Sequence, residues 1–190
     1  MFLLRKPSAE LIEQFLSAQR GRNFSYAEVG ATRGALPSGY MVDHHRVRLG
    51  HGAHLFSEAA VCLRGWQMFK LGWVEVFHPR APIQTGTTVA VLVRHFGFWS
   101  VHACRIAYVI AEERQYGFAY GTLQDHAEQG EEKFSVERAA DDAVWYDILA
   151  FSRPRQWQAK VARPLSRRIQ KRFARDSMAA MARAVGSEAV

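Results

Sequence analysis

This 190-residue chain has only two cysteines and no long apolar run. Its two cysteines, Cys62 and Cys104, stand in a predicted helix and a predicted strand without the spacing of a metal-binding motif, so we interpret them as reduced core residues. No apolar run approaches the roughly 18 residues that a membrane-spanning helix needs. The first residues, MFLLRKPS, place apolar residues before the charges, the wrong order for a secretory signal. These scarcities favour a cytoplasmic protein, soluble or at most peripheral to a membrane.

Apolar residues are nevertheless numerous enough to build a core. Hydrophobic residues make up 48% of the chain and charged residues 23%, with twelve Phe, a composition typical of a globular protein. A length of 190 residues fits one domain. We therefore predict a single domain over residues 1–190, with residues 1–40 as an N-terminal helix and loop extension and residues 41–190 as the core.

Helix and strand signals alternate in the N-terminal part of the chain. Ser8 suits the N-cap of a short helix that ends near Gly21. After a strand at Tyr40–Leu49, apolar residues at the helical period predict one continuous helix from His54 to Leu71, with Gly72 as its C-cap.

From Gly72 onward, apolar and polar residues alternate with a period of two, which predicts a series of strands. The links between them are short, and because parallel neighbours need crossovers of about a dozen residues or more, short links indicate an antiparallel meander. The predicted strands are Trp73–Phe77, Thr87–Arg94, Ser100–Ala111, Tyr116–Leu123, Glu132–Arg138 and Ala143–Phe151.

A long basic helix is predicted at the end of the chain, with Pro164 kinking or restarting it. From Arg153 to Val190, ten Lys or Arg stand against two acids, so this segment carries the excess behind the net charge of +7. Its predicted apolar stripe consists of Trp157, Val161, Leu165, Ile169 and Phe173. Its candidate anion-binding residues are Arg163, Arg167, Arg168, Lys171, Arg172 and Arg175. Such a basic face either binds anionic lipid headgroups or phosphate backbones or is simply solvated.

This order of elements predicts an α+β fold in which a curved antiparallel sheet of about seven strands wraps on a long C-terminal helix, with an N-terminal helical extension. It resembles the helix-grip arrangement of START and birch-pollen-allergen-like domains, which implies a cavity between sheet and helix. Those domains usually have two short helices after the first strand, where one is predicted here. A two-layer α+β sandwich without a cavity is the alternative, because both arrangements bury one sheet face under a helix.

Five ordered motifs resemble uncharacterised protein family 0548, a domain of unknown function found in bacteria and plants. They are LPSGY at Leu36–Tyr40, WxxFxLGW at Trp66–Trp73, FAYGTL at Phe118–Leu123 with HxExGEE at His126–Glu132, AFSRP at Ala150–Pro154, and RxxQxxF at Arg167–Phe173. The resemblance covers nearly the whole chain. It implies kinship alone, since the family offers no established catalytic residues to transfer.

The candidate site centres on Glu132. Alternation along its strand puts Glu132 on the same face as Phe134, so this carboxylate shares a face with apolar side chains. The residues predicted to converge with it are Tyr120, Thr122 and Arg105. A partly buried carboxylate either binds its proton more tightly, as a general acid or a polar ligand anchor does, or pairs with Arg105 or Arg94 in a structural salt bridge.

A metal site has weaker support in the sequence. His126 lies in a loop with Glu128, Glu131 and Glu132, but no second histidine is fixed nearby, and a metal site needs three or four converging ligands. The sequence also lacks a complete dinucleotide fingerprint, a P-loop and a nucleophile elbow. We therefore predict no metal and no cofactor.

Three functions of different class fit these observations. The preferred one is a carrier or sensor of a small apolar or amphipathic molecule, held between the sheet and the last helix. Its predicted contacts are Trp66, Tyr120, Thr122, His126, Glu132, Phe134 and Trp157. The second is an enzyme of cyclase, dehydratase or hydrolase type, with Glu132 as acid or base and Tyr120 and Arg105 holding a developing oxyanion. The third is an adaptor that binds an anionic membrane, or less favourably nucleic acid, through the Arg-rich helix.

Overall fold

A computed structural model describes residues 1–126, 128–155 and 163–187, and its backbone confirms the predicted α+β class. Along these residues the elements are β1 (Phe2–Leu3), α1 (Ala9–Gln19), β2 (Met41–His51), α2 (Ala53–Arg64), β3 (Val74–Phe77), β4 (Thr88–His95), β5 (Phe98–Ala111), β6 (Gln115–Thr122), β7 (Glu128–Arg138), β8 (Ala143–Pro154) and α3 (Arg163–Ala184), with 3-10 turns at Ala31–Arg33 and Gln67–Phe69. The predicted N-cap of α1 is present, because Ser8 Oγ accepts a hydrogen bond from the backbone N–H of Leu11 at 3.2 Å.

The prediction of one continuous helix from His54 to Leu71 is wrong in its C-terminal third. α2 ends at Arg64, where the amide of Gly65 donates to carbonyls of the last turn. Trp66 then takes a left-handed backbone conformation, with φ of 56°, and a 3-10 turn follows. Trp66 and Phe69 are 1% exposed, and because the same residues fit a helical apolar repeat, their spacing could not reveal the break.

All the described strands form one sheet of eight, with antiparallel pairing throughout. From β3 to β8 neighbours in sequence are neighbours in space, which confirms the meander, and β2 closes the far edge against β8. The eighth strand, β1, pairs with β5 through Phe2–Ser100 and Leu3–Trp99. Two residues are too few to show a period-two pattern, so this strand could not be predicted.

Curvature gives the sheet a concave inner face. Register shifts occur between Arg48 and Gly50 in β2 and between Ile106 and Tyr108 in β5, and such bulges bend a strand and increase its twist. The core lies against the inner face, where the largest fully buried side chains include Trp66, Phe69, Phe118, Phe134 and Tyr146.

α3 packs over this inner face. The ring centroid of Phe173 lies 5.2 Å from that of Phe69, and Ser177 Oγ and Tyr146 Oη are 2.9 Å apart. The predicted stripe was wrong at Leu165, whose side chain is exposed. Positions spaced by four advance about 40° around a helix at each step, so a long run of them leaves any single face. Trp157 and Val161 lie outside the described residues, and Pro164 stands in the first turn of the described helix.

The loop between α1 and β2 packs on the outer face of the sheet. Glu131, which is 2% exposed, accepts hydrogen bonds from Tyr26 Oη at 2.8 Å, from the amide of Gly30 at 2.7 Å, and from the amide and hydroxyl of Thr32. A glycine at position 121 makes this approach possible, because a Cβ on Gly121 would lie 2.0 Å from Tyr26 Oη. One buried carboxylate thus fixes the loop to β7.

Candidate ligand-binding site

A cavity of about 490 Å³ lies between the inner face of the sheet and α3. The helix contributes Ile169, Gln170 and Phe173 to its wall. The other apolar lining residues include Phe69, Trp73, Val91, Val93 and Ile148. The polar lining residues include Asp43, His45, His95, Ser100, His102, Cys104, Tyr120, Thr122, His126, Glu128 and Glu132. The space therefore has apolar walls with polar groups brought together from five strands.

Glu132 and Tyr120 form the central polar contact of this cavity. The two residues are directly opposite each other in the β6–β7 ladder, and Tyr120 Oη donates a hydrogen bond to Glu132 Oε2 at 2.8 Å. Tyr120 is 8% exposed, whereas Glu132 is half-buried and lines the cavity. Alternation in both strands places the pair on the inner face, beside Phe134.

The surroundings of Glu132 favour its protonated form. Burial raises the pKa of Glu132 from 4.5 to about 7; the Tyr120 hydrogen bond opposes this shift and the charge of Asp43 adds to it. Burial, followed by the charge of Glu132, also raises the pKa of the Tyr120 hydroxyl well above its ordinary value. Desolvation is thus the dominant cause in both groups. Near neutral pH the carboxyl exchanges readily between its neutral and charged forms while the phenol stays protonated.

Three histidines gather at the end of the cavity where β4 and β5 meet. The rings of His102 and His126 are 4.6 Å apart, His102 Nε2 lies 2.9 Å from Ser100 Oγ, and His126 Nδ1 accepts the amide hydrogen of Glu128. Burial lowers the pKa of His126 to about 4 and that of His102 well below 6.5. Nδ1 of His102 and Nδ1 of His95 are buried without a hydrogen-bond partner among the described residues. The rings of His102 and His126 are therefore polar and neutral at neutral pH.

An ion pair closes the cavity between β2 and α3. The guanidinium of Arg167 donates to both carboxylate oxygens of Asp43, through Nη1 and, at 2.6 Å, through Nη2. The hydrogen bonds from Arg167 lower the pKa of Asp43, so the pair stays charged. Arg167 also donates to Gln170 Oε1 at 2.9 Å. The first described turns of α3 are therefore tied to the edge strand of the sheet.

The other predicted ligand contacts take different positions. Thr122 and His126 line the cavity, although the Thr122 hydroxyl is bonded to the backbone of Gly130. Phe134 is fully buried against Tyr120 and Phe173. Trp66 lies beneath the 3-10 turn, donates Nε1–H to the carbonyl of Ala81, and lines a second cavity of about 480 Å³ on the side of α1 and β3. Trp157 is outside the described residues.

Arg105 does not join the site, and the predicted convergence is wrong for this residue. It lies on the outer face of β5, where its guanidinium donates to the carbonyl of Arg22 at 2.7 Å and to that of Gln19 at 3.1 Å. The predicted salt bridge from Glu132 to Arg105 or Arg94 is equally absent among the described residues, where the hydrogen-bond partner of Glu132 is Tyr120. Alternation along β5 gives the same placement, because Cys104 lines the cavity and the register shift of this strand comes only after Ile106.

Half of the predicted anion-binding residues are engaged within the molecule. Arg167 binds Asp43, while Arg172 and Arg175 both contact Asp176. Arg172 also lies over the ring of Trp73, at 4.2 Å from its centroid. Arg168 and Lys171 are exposed, and the side chain of Arg163 lies outside the described part of the chain. No helix of the described residues combines the length and apolar character that crossing a bilayer requires.

The predicted loop group does not assemble a metal site. Glu131 faces outward to Tyr26 and Thr32, on the opposite side of β7 from Glu132. Among the described residues, no three His, Cys, Asp or Glu side chains come close enough together to hold an ion.

Several residues that line the cavity were not predicted from the sequence. Ser100, His102 and Cys104 alternate along β5 and face the cavity together. Their even spacing was a usable signal, because polar residues that repeat with a period of two share one face of a strand. Asp43 gave no such signal, since its role depends on the pairing of β2 with β8.

An antiparallel sheet curved around a C-terminal helix, with a lined space between the two, defines a helix-grip α+β protein. The chain belongs to the family described as Domain of unknown function (DUF1990), whose profile matches residues 25–180. This finding confirms the family that the sequence motifs indicated.

Full-length relatives support the assignment. The UPF0548 protein of Deinococcus radiodurans is 40% identical over 98% of this chain and 100% of its own length. The UPF0548 protein of Dictyostelium discoideum is 34% identical over 98% of this chain and 97% of its own. Among solved structures, the hypothetical protein jhp0584 from Helicobacter pylori superposes with a TM-score of 0.54 at 9% identity, covering 84% of this chain and 94% of that one. At this identity the likeness concerns the fold alone.

Proposed function

We propose that this protein binds a small apolar or amphipathic molecule in the cavity between the sheet and α3. The observation that carries the proposal is a space of about 490 Å³ with aromatic and aliphatic walls and the Tyr120–Glu132 pair inside it. Small-molecule sites are typically clefts of about 300–1,000 Å³ with mostly apolar walls and a few convergent polar groups. The size and the lining chemistry both fall in that class.

Access to the cavity depends on α3. Near the cavity the side-chain contacts that hold this helix include the Arg167–Asp43 pair, a 3.5 Å contact from Gln170 Nε2 to Ser152 Oγ and the packing of Phe173 on Phe69. Such contacts can open and close without breaking the backbone hydrogen bonds of the sheet. A molecule can therefore enter by displacement of the helix while the strand ladder stays intact.

The first test is native mass spectrometry of the gently purified protein, followed by organic extraction and identification of what is released. A stoichiometric small molecule supports the proposal directly. The second test uses the neutral fluorescent probe N-phenyl-1-naphthylamine and two single variants. Ala150→Phe places a ring inside the cavity beside Glu132, whereas Leu149→Phe places the same ring on the outer face of β8.

We expect the probe to bind the wild-type protein and Leu149→Phe alike, and to lose at least about tenfold in affinity for Ala150→Phe, because the added ring occupies the volume that the probe needs. Both variants should keep the wild-type circular dichroism spectrum. Equal binding to all three proteins would place the probe elsewhere and contradict the proposal, as would wild-type protein that neither binds the probe nor releases a molecule.

Catalysis is a second candidate, favoured by the pKa of Glu132. A carboxyl group with a pKa near 7, in a cavity and beside a phenol, is suited to transfer a proton as general acid or base. Glu132→Gln preserves the shape of the group and its ability to accept the Tyr120 hydrogen bond, but it cannot transfer a proton. If the molecule released by extraction is turned over by the wild-type protein, the variant should lose turnover and keep binding; a pure carrier would show no turnover in either protein.

A further inference from the structure

The charge of the cavity is opposite to that of the chain. The chain carries a net charge of +7, yet none of the described residues that line the cavity is Lys or Arg. Carboxylates of Asp43, Glu128 and Glu132 line it instead. A basic protein would be expected to favour anions generally, so the absence of cations from this wall changes which molecules the cavity can accept.

α3 keeps its positive charges away from the cavity. Its lining residues are Ser166, Ile169, Gln170, Phe173 and Ala174, none of which is ionisable. The cation next to them, Arg167, is neutralised by two contacts with Asp43. The helix that gives the chain its basic character therefore presents an uncharged face to whatever is bound.

Three of the lining histidines, His95, His102 and His126, do not supply positive charge either. Burial lowers the pKa of His95, His102 and His126 from 6.5, so these three rings are mostly neutral at the pH above 7 where Glu132 is ionised. Two of these rings offer buried nitrogen atoms without partners among the described residues. These nitrogen atoms can form hydrogen bonds with a neutral polar group, but the neutral rings do not balance the charge of an anion.

Among the described residues, one carboxylate oxygen of Glu132 has no hydrogen-bond donor. Tyr120 donates to Oε2, and no described residue donates to Oε1. The ring of Tyr120, which bonds this carboxylate, is itself packed among aromatic rings, with the centroid of Phe69 6.0 Å and that of Phe134 5.4 Å away. A buried carboxylate that is only partly bonded is costly, and a ligand that donates to it removes that cost.

We infer that the cavity selects amphipathic amines, with the protonated nitrogen bound to Oε1 of Glu132 and the apolar body packed against Phe69, Ile148 and Phe173. The inference rests on the proposed function and names its ligand class. Hydrogen bonds between charged partners are shorter and stronger than neutral ones, and they gain further where water is excluded. A carboxylate ligand of the same length would meet the repulsion of Glu132, and no described residue of the cavity lining is a Lys or Arg that could bind it.

The test compares three ligands that share one apolar chain: octylamine, octanol and octanoate, each competed against N-phenyl-1-naphthylamine at pH 8. In the wild-type protein we expect octylamine to bind at least about tenfold more tightly than octanol, and octanoate to bind most weakly. In Glu132→Gln the preference for octylamine over octanol should shrink to about threefold or less. The matched control is Glu137→Gln, on the same strand but with its carboxylate exposed beside Arg46, which should retain the wild-type preference.

Changing the pH distinguishes the effect of the Glu132 carboxylate on ligand preference from the effect of the other groups in the site. The groups that face Glu132 are Tyr120 on β6, Cys104 on β5, Tyr146 on β8, Asp43 and His45 on β2, and Arg167 from α3 through its bond to Asp43. The octylamine preference should increase between pH 6 and pH 8 as Glu132 ionises. Glu132→Gln retains every other group in that set, so it should show a much smaller increase.

The outcomes distinguish this inference from the proposed function. If octanol displaces the probe but octylamine binds no more tightly, or octanoate binds best, the cavity binds ligands and the selection for amines is wrong. If the preference is present but persists in Glu132→Gln, the nitrogen is bound elsewhere and the assignment to Glu132 is overturned. If the wild-type protein neither binds the probe nor releases a molecule on extraction, the proposed function has failed first.

Discussion

Tyr120 Oη donates to Glu132 Oε2 at 2.8 Å between two residues that are directly opposed in the β6–β7 ladder. Opposed residues on one face of a sheet have their Cβ atoms about 4.5–5.5 Å apart whatever the rest of the molecule does. The position of the carboxyl is thus set by backbone hydrogen bonds, and it does not depend on where α3 lies. The site remains organised when the helix moves to admit a ligand.

The raised pKa of Glu132 should make the free energy of unfolding depend on pH. The pKa of this carboxyl is about 7 in the folded protein and 4.5 in the unfolded chain, so the folded protein binds the proton more tightly. The stability that this proton adds to the fold is fully present below pH 4.5 and is lost as the pH rises through 7. The loss approaches roughly 3 kcal/mol in the free energy of unfolding. Glu132→Gln cannot ionise and should become more stable relative to the wild type between pH 5 and pH 8.

Urea unfolding of both proteins at the two pH values measures this difference, and the comparison cancels the titration of groups that the two share. A stability difference that is the same at pH 5 and pH 8 would show that the folded-state pKa of Glu132 is not raised.

The Asp43–Arg167 pair should contribute measurably to the attachment of α3. Both side chains are mostly shielded, at 20% and 25% exposure, and two-point contacts between guanidinium and carboxylate exceed the usual surface ion pair. We expect a coupling free energy of about 1–2 kcal/mol in a double-mutant cycle of Asp43→Ala and Arg167→Ala. Arg175→Ala serves as the control, since Arg175 is 74% exposed and its removal should change stability little. Additive effects of the two Asp43 and Arg167 substitutions would contradict the attachment.

Gly121→Ala should destabilise the fold through the N-terminal loop. The new Cβ would lie 2.0 Å from Tyr26 Oη, so Tyr26 must leave and Glu131 loses a hydrogen-bond donor. We expect a loss of about 2–4 kcal/mol in the free energy of unfolding. Gly65→Ala, whose added methyl group meets nothing nearer than 3.5 Å, should cost much less. Adding Tyr26→Ala to Gly121→Ala should recover part of the loss; no recovery would mean that the clash lies elsewhere.

Trp73 should report whether the cavity is occupied. It lines the cavity and donates Nε1–H to Asp176 on α3 at 3.0 Å, so a bound molecule changes both its solvation and its hydrogen bond. The tryptophan emission of the protein should shift when the cavity is filled with octanol. Trp73→Phe should remove this response, while Trp145→Phe, which removes a ring stacked under Arg46 and away from the cavity lining, should keep it. A response retained without Trp73 would show that octanol binds away from this wall.

The fold was largely predictable because its signals are local. Period-two alternation located β3 to β8, and short links fixed their antiparallel order, since neither depends on distant residues. The break after Arg64 was not predictable from spacing, because the residues that follow are buried in either arrangement. The apolar stripe of α3 was misjudged for a geometric reason: a strict spacing of four rotates off the buried face, which left Leu165 in solvent.

The site was predictable only where one strand pair determines it. Glu132 and Tyr120 were identified because alternation within β6 and β7 places them on one face. Arg105 was assigned to the wrong face, although the alternation of Ser100, His102 and Cys104 on the inner face of β5 places position 105 on the outer one. Asp43 could not be identified, because its position in the cavity requires β2 to close the sheet against β8, a contact between opposite ends of the chain.

The four hydrogen bonds that Glu131 accepts on the convex side have a consequence for kinetics. They hold the N-terminal loop against the convex face of the sheet, so the sheet resists flattening. We therefore expect α3 to be the element that moves when a ligand enters. The entry rate should then follow the opening frequency of the Arg167–Asp43 contact, rising with ionic strength as that ion pair is screened. Stopped-flow measurement of the uptake of a neutral probe at several salt concentrations should show an entry rate that increases with salt. A rate independent of salt would mean that ligands enter without breaking the Arg167–Asp43 contact.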